Sequence, residues 1–123
     1  ATTVEITNFE ELFYSKEVVL HFTEHVLVYT TDTVVDRKEI KITLDKLYKH
    51  ISVRITGLKT LPEFEKAVSS FVPGYYVKEQ DALVIRNLYE QIGLINSYVG
   101  SDNVEIIEMT SLGKRIMNKL NLE

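Results

Sequence analysis

The run His21-Phe22-Thr23-Glu24-His25 holds the residue types best able to do chemistry in this 123-residue chain. On a helix the two histidines would share one face and ligate zinc, with Glu24 as a base and a third ligand from elsewhere. The flanking residues point to another geometry. Val18, Leu20, Phe22, Val26 and Val28 alternate at period two, interrupted by Glu24, in a valine- and threonine-rich segment from Glu17 to Val35. That pattern predicts strands. Val19, Phe22, Val26 and Tyr29 also share a helical face, so a helix is the competing reading. On a strand, His21 and His25 would lie roughly 13 Å apart, too far for one ion. A surface or half-buried histidine pair is therefore expected, and no metal site.

Other catalytic patterns are missing. The chain has no cysteine, which removes disulfides, thiol catalysis and cysteine-ligated zinc. Its five glycines are scattered rather than gathered into a phosphate-cradling loop. Ser69, Ser70 and Ser111 have no histidine beside them in sequence. Neither an enzyme nor a cofactor is expected.

Charge distribution says more. The net charge is −4, which disfavours general attraction to phosphates. Residues 37–59 nevertheless carry seven cations (Arg37, Lys38, Lys41, Lys46, Lys49, Arg54, Lys59) against two acids (Glu39, Asp45), an excess of +5 inside an acidic chain. This excess is either a solvated helix face or a patch that faces phosphates.

These residues must be positioned by a single domain, since the length suits one core and no linker or repeat divides it. Asn8-Phe9-Glu10-Glu11 reads as a capped helix start, running to about Lys16. Ile40, Leu44, Leu47 and Ile51 recur at helical spacing and predict an amphipathic helix over 37–51, its polar face holding the lysines. Ser52 to Thr56 reads as a short strand closed by Gly57. Thr60-Leu61-Pro62-Glu63 is a capping box with proline in the first turn, opening a second helix buried through Leu61, Phe64, Val68 and Phe71. After Pro73-Gly74 a third helix spans 78–92, stopped by Gly93. A ribbon follows, Leu94–Val99 and Val104–Met109, with a Gly100-Ser101-Asp102-Asn103 tip. Thr110 caps a last helix whose buried face is Leu112, Ile116 and Leu120.

From Thr60 to Met117 this order resembles the DNA-binding core of the MarR-type winged-helix regulators. The recognition helix of that family commonly ends in Leu-Glu-x-x-Gly-Leu-Ile, matched here by Leu88, Gly93, Leu94 and Ile95, with Glu90 displaced by one. The wing leads into Leu-Thr-x-x-Gly-[Lys/Arg], matched by Met109, Thr110, Gly113 and Lys114, with methionine for leucine. Threonine there caps the helix and glycine allows its close packing. The chain departs from the family in an acidic wing (Asp102, Glu105, Glu108), a long turn carrying Tyr75 and Tyr76, and a β-rich N-terminal third. The resemblance implies an α+β fold: a winged helix-turn-helix core over 37–123 with an N-terminal extension over 1–36.

It also implies a DNA-binding transcriptional regulator that places helix 78–92 in the major groove of double-stranded DNA. Projected at 100° per residue, Ala82, Ile85, Leu88, Tyr89 and Ile92 take one side of that helix; Gln80, Leu83, Arg86, Asn87 and Glu90 take the other. Gln80, Leu83, Arg86 and Asn87 are the candidate base readers. Lys38, Lys41, Lys46 and Lys49 are the candidate phosphate contacts, and Ser101 and Asn103 the wing-tip contacts. The alternative is a protein–protein interaction module on the same scaffold, suggested by the acidic wing and an exposed Leu83. A homodimer is expected through Val18, Leu20, Phe22, Val26 and Val28, unless these cover one side of a monomeric core. The longest apolar run, Val18 to Tyr29, is too short and too polar to span a bilayer, so no membrane partner is expected. The chain opens at Ala1, as after removal of an initiator methionine, and a cytoplasmic location is expected.

Overall fold

A computed structural model describes residues 9–26 and 35–122. The chain is α+β, with two three-stranded antiparallel sheets among the described residues. Phe9 and Glu10 lead into one π-helical turn, Glu11–Ser15, whose Phe13 is buried. The expected cap at Asn8 lies outside the described residues.

Strand β1, Glu17–Glu24, follows with strict alternation: Val18, Leu20 and Phe22 are buried and the residues between them exposed. β2, Arg37–Thr43, pairs with it antiparallel, from Glu17 opposite Thr43 to Thr23 opposite Arg37. This corrects the helix expected over 37–51. Ile40 and Ile42 alternate on the inner side of the hairpin, and pairing with β1 overrides the helical spacing that Ile40 shares with Leu44. The helix, α1, is Leu44–Ser52 alone, buried through Leu44, Leu47, Tyr48 and Ile51. The strand expected at 52–56 is also corrected. That stretch is the end of α1 and a turn through Gly57 (φ +82°), and strand β3 is Leu58–Thr60.

The second helix, α2, spans Leu61–Ser69. Its start is the expected box: the Glu63 carboxylate accepts the Thr60 N–H and hydroxyl, each at 3.0 Å. The turn after it holds a short strand, β4, Tyr75–Val77, which pairs with the free side of β1. Helix α3 is Glu79–Gln91, stopped by Gly93 in the left-handed region (φ +86°). Strands β5, Ile95–Val99, and β6, Glu105–Met109, form the ribbon, with Asn103 at φ +62° supplying its turn. β3 pairs with β6, giving the order β3-β6-β5 in one sheet and β2-β1-β4 in the other. Helix α4, Ser111–Leu122, closes the fold.

Thr110 works at both ends of its hydroxyl: it donates to the Gly93 carbonyl at 2.6 Å and accepts the Gly113 N–H at 3.0 Å. The core centres on Phe13, Tyr48 and Tyr89, with the two tyrosine rings 5.1 Å apart. Each hydroxyl is satisfied by a backbone carbonyl, Tyr48 by Gly113 at 3.0 Å and Tyr89 by Leu44 at 2.7 Å, so these rings bury without an orphaned donor. Val18, Leu20 and Phe22 belong to this same core. As the candidate contacts of a dimer they are therefore corrected: their area is already covered within one chain. Val26 is half-buried and Val28 lies outside the described residues. The expected division at residue 36 falls inside the β1–β2 hairpin, whose first strand is also paired with β4.

Candidate nucleic-acid interface

Helix α3 buries Ala82, Ile85 and Tyr89, with Leu88 and Ile92 partly buried, as its apolar spacing predicts. Its opposite side differs from the projection. The exposed residues are Glu79, Gln80, Val84, Asn87 and Gln91, and Leu83 is half-buried. Gln80, Val84, Asn87 and Gln91, spaced four, three and four, form one solvent stripe of amides around a valine that is 52 % exposed.

Arg86 and Glu90 face the ribbon. Arg86 is ion-paired with Glu105 on β6. Its other nitrogens donate to the Asn87 amide oxygen at 3.0 and 3.3 Å. Glu90 accepts the Ser97 N–H at 2.9 Å and also its hydroxyl. Arg86 is thus a strut between ribbon and helix that orients Asn87, and its guanidinium is not free to read a base edge.

The N-terminal end of α3 is held by β1. Asp81 Oδ2 accepts the His21 backbone N–H at 2.8 Å and lies 2.9 Å from ring Nδ1. A carboxylate can only accept here, so Nδ1 carries the proton. Lys78 donates its N–H to the His21 carbonyl at 2.8 Å. His25 stands edge-on to Tyr76. Of the histidine pair, His21 is on β1 at the helix start and His25 lies just past the strand's end, and no group of three metal-ligating side chains forms among the described residues.

Three of the acids near α3 and the ribbon are therefore engaged: Asp81 by His21, Glu90 by Ser97 and Glu105 by Arg86. Glu79, Asp102 and Glu108 stay exposed, and from 79 to 113 the sequence has no cation besides Arg86. At the tip, Ser101 and Asn103 are exposed, and the Ser101 hydroxyl donates to Asp102 at 3.2 Å.

The cations of 37–59 do not share one helix face. Lys38 and Lys41 are on β2, Lys38 lying 5.0 Å over the Tyr75 ring and Lys41 opposite Val19. Lys46 and Lys49 are exposed on α1. Arg54 and Lys59 join Lys66 and Ser70 around a groove of about 370 Å³, where Lys59 pairs with Glu63 at 3.9 Å. Sequence spacing could have found part of this groove, since Glu63 and Lys66 are exposed three residues apart on α2, with Lys59 just before the helix and Ser70 at its C-cap. Lys66 also borders a depression shared with Tyr76 and Val77, next to Lys78 and the start of α3.

Two groups here have displaced proton affinities. Tyr75 donates to Asp36 at 2.5 Å, and that bond to a carboxylate, with burial, pushes its phenol up to about 12. Burial, together with the Glu79 charge, raises the Glu65 carboxyl.

Comparison with protein families, with curated proteins and with solved structures finds no match. The functional reading rests on these residues. Among the described residues no helix is long and apolar enough to cross a membrane.

Proposed function

We propose that residues 44–122 are a winged helix-turn-helix unit that binds double-stranded DNA, with α3 in the major groove and the β5–β6 ribbon as its wing. The observation that carries this is the α3 solvent stripe. Gln80 and Gln91 offer amides able to bond adenine edges bidentately, and Val84 sits between them, suited to a thymine methyl. Asn87, whose oxygen accepts from Arg86, keeps its NH2 to donate to a base edge. The neighbouring acids Asp81, Glu90 and Glu105 are turned into internal bonds, which keeps them off the stripe. Helix–strand–helix–strand–helix–ribbon–helix order, the second strand lying in the turn between α2 and α3 and β3 beside β6, supports the same scaffold. A transcriptional regulator is the role this implies.

Lys78 is the N-cap of α3, and Lys66 borders the depression beside Tyr76 and Val77 that leads to it. Two phosphate contacts per chain correspond to a salt slope of about −2, shallow for a DNA-binding protein. The acidic surface then suppresses non-specific binding. Selection from a random duplex pool at ~50 mM salt tests this, because it does not depend on knowing the target. An enriched sequence is expected, and Gln80→Ala or Gln91→Ala should relax preference at ~1–3 kcal/mol for each bidentate amide–adenine pairing removed. Arg86→Ala should both lower affinity and relax preference, since Arg86 orients Asn87 and braces the wing. Recovery of no duplex at low salt would overturn the reading.

A second reading is favoured by the wing. Tyr98, Val99 and Val104 are 44 %, 65 % and 39 % exposed around an acidic tip. That surface suits an apolar, basic segment of a protein partner on the same scaffold, and it is the reading left if the selection fails.

A further inference from the structure

β2 is an outer strand of its sheet, and residues Arg37 to Glu39 and Lys41 are exposed. Glu24 donates its N–H to the Asp36 carbonyl at 2.8 Å, while Lys78 donates to His21 and His25 donates to Gly74. Even-numbered residues of β1 therefore bond β2 and odd-numbered ones bond β4. In β2 it follows that Arg37, Glu39, Lys41 and Thr43 turn their backbone N–H and C=O groups outward. No backbone partner meets them among the described residues. A seven-residue edge of this kind is a template for another strand.

We propose that the occupant is β2 of a second copy of this chain, paired antiparallel about a two-fold axis at Ile40. In that register Glu39 lies opposite Lys41 of the second copy, and Lys41 opposite its Glu39. Arg37 faces Thr43, and Ile40 meets Ile40. All the outward odd residues fall into hydrogen-bonded pairs and all the side chains keep their faces. A slip of two residues one way sets Glu39 against Glu39 and Arg37 against Lys41. The slip the other way sets Lys41 against Lys41. Like charges directly opposite are unfavourable, so the strand's own sequence selects one register. The result is a six-stranded sheet, β4-β1-β2 joined to its symmetry copy. Its two β4 strands are about 24 Å apart at ~4.8 Å per strand, with an α3 beginning beyond each. That suits two half-sites one helical turn apart, ~34 Å, although the pairing is argued independently of DNA.

Sedimentation equilibrium of the full chain without DNA tests it. A dimer is expected at tens of micromolar. Glu39→Lys and Lys41→Glu should each raise the dissociation constant roughly tenfold or more, and the double reversal should restore association, because the pairs are re-formed with their signs exchanged. Circular dichroism checks that each variant keeps its fold. A monomeric parent at ~100 μM overturns the proposal, as does a dimer indifferent to both single reversals. Failure of the duplex selection would leave this result standing, and the converse holds.

Discussion

Gly113→Ala should destabilise this protein although alanine is the better helix former. A Cβ at Gly113 would lie 2.2 Å from the Leu94 carbonyl oxygen, 2.8 Å from Met109 Cγ and 2.8 Å from the Tyr48 hydroxyl. None of the three can move aside freely: Leu94 and Tyr48 are wholly buried and Met109 is 4 % exposed. The Leu94 carbonyl accepts the Thr110 N–H at 3.0 Å, and Tyr48 donates to Gly113 at 3.0 Å, so relief of the clash breaks one bond or the other. Overpacking costs ~1–3 kcal/mol and a buried group left without its bond ~1–3 more, against ~1 gained from helix propensity. The net loss should be about 2–4 kcal/mol. In urea, with a slope of ~1–3 kcal/mol/M, the midpoint should fall by roughly 1–2 M at unchanged slope. Tyr48→Phe removes one of the three clashing atoms, so the double variant should lose less than the sum of the two singles. A Gly113→Ala protein equal to or more stable than its parent would refute the reasoning, because propensity alone would then govern the site.

Tyr48 and Tyr89 should ionise only as the chain unfolds, since burial raises both phenols above 10.0. Their contribution is full below pH 10 and is lost as pH rises towards the folded values; a spectrophotometric titration should show three of the seven tyrosines displaced upward, Tyr75 to about 12, and Tyr48 and Tyr89 lagging until the far-UV signal collapses. His50 is displaced the other way: burial, then the Arg54 charge, lowers it from 6.5, with a smaller opposing effect from Ser70. Its contribution is present above pH 6.5 and fades as pH falls through the lowered value, so the urea midpoint should decline with acidification and His50→Gln should flatten that decline. Ser70 is the opposing influence: its hydroxyl donates to Ala67 at 2.6 Å and is left to accept from His50 Nε2 at 3.0 Å, which favours the protonated ring. Thr60→Ala should cost about 0.5–2 kcal/mol by undoing the reciprocal cap on α2, and an unchanged melting temperature would show that Pro62 suffices to start that helix.

What could be read from the sequence was what is decided locally. Thr60 with Glu63, Gly93, the 95–109 ribbon and the Thr110–Gly113 cap involve partners a few residues apart or a backbone angle one residue must supply. The buried face of α3 was equally plain from Ala82, Ile85 and Tyr89. Ile40 shows the opposite case: it is in phase with Leu44, Leu47 and Ile51, so a strand's end looked like a helix's first turn. What decides for strand is its partner, Leu20, far away along the chain. β4 is three residues long and has no period to show. Arg86 looked like a base reader because its engagement depends on Glu105, on the β5–β6 ribbon. The α3 stripe consequently shifts from Leu83 and Arg86 to Val84 and Gln91.

The double role of β1 has a kinetic consequence. Its pairing with β2 is a hairpin, whereas its pairing with β4 joins Phe22 to Val77, residues 55 apart. Closing a loop of that size costs about 3–4 kcal/mol of chain entropy before the contacts form, so the second seam should close late in folding and open early. The start of α3 hangs on that seam through Lys78 and Asp81. Hydrogen exchange should therefore find the His25 and Lys78 amides, the donors across it, opening together, ahead of the amides that join β1 to β2.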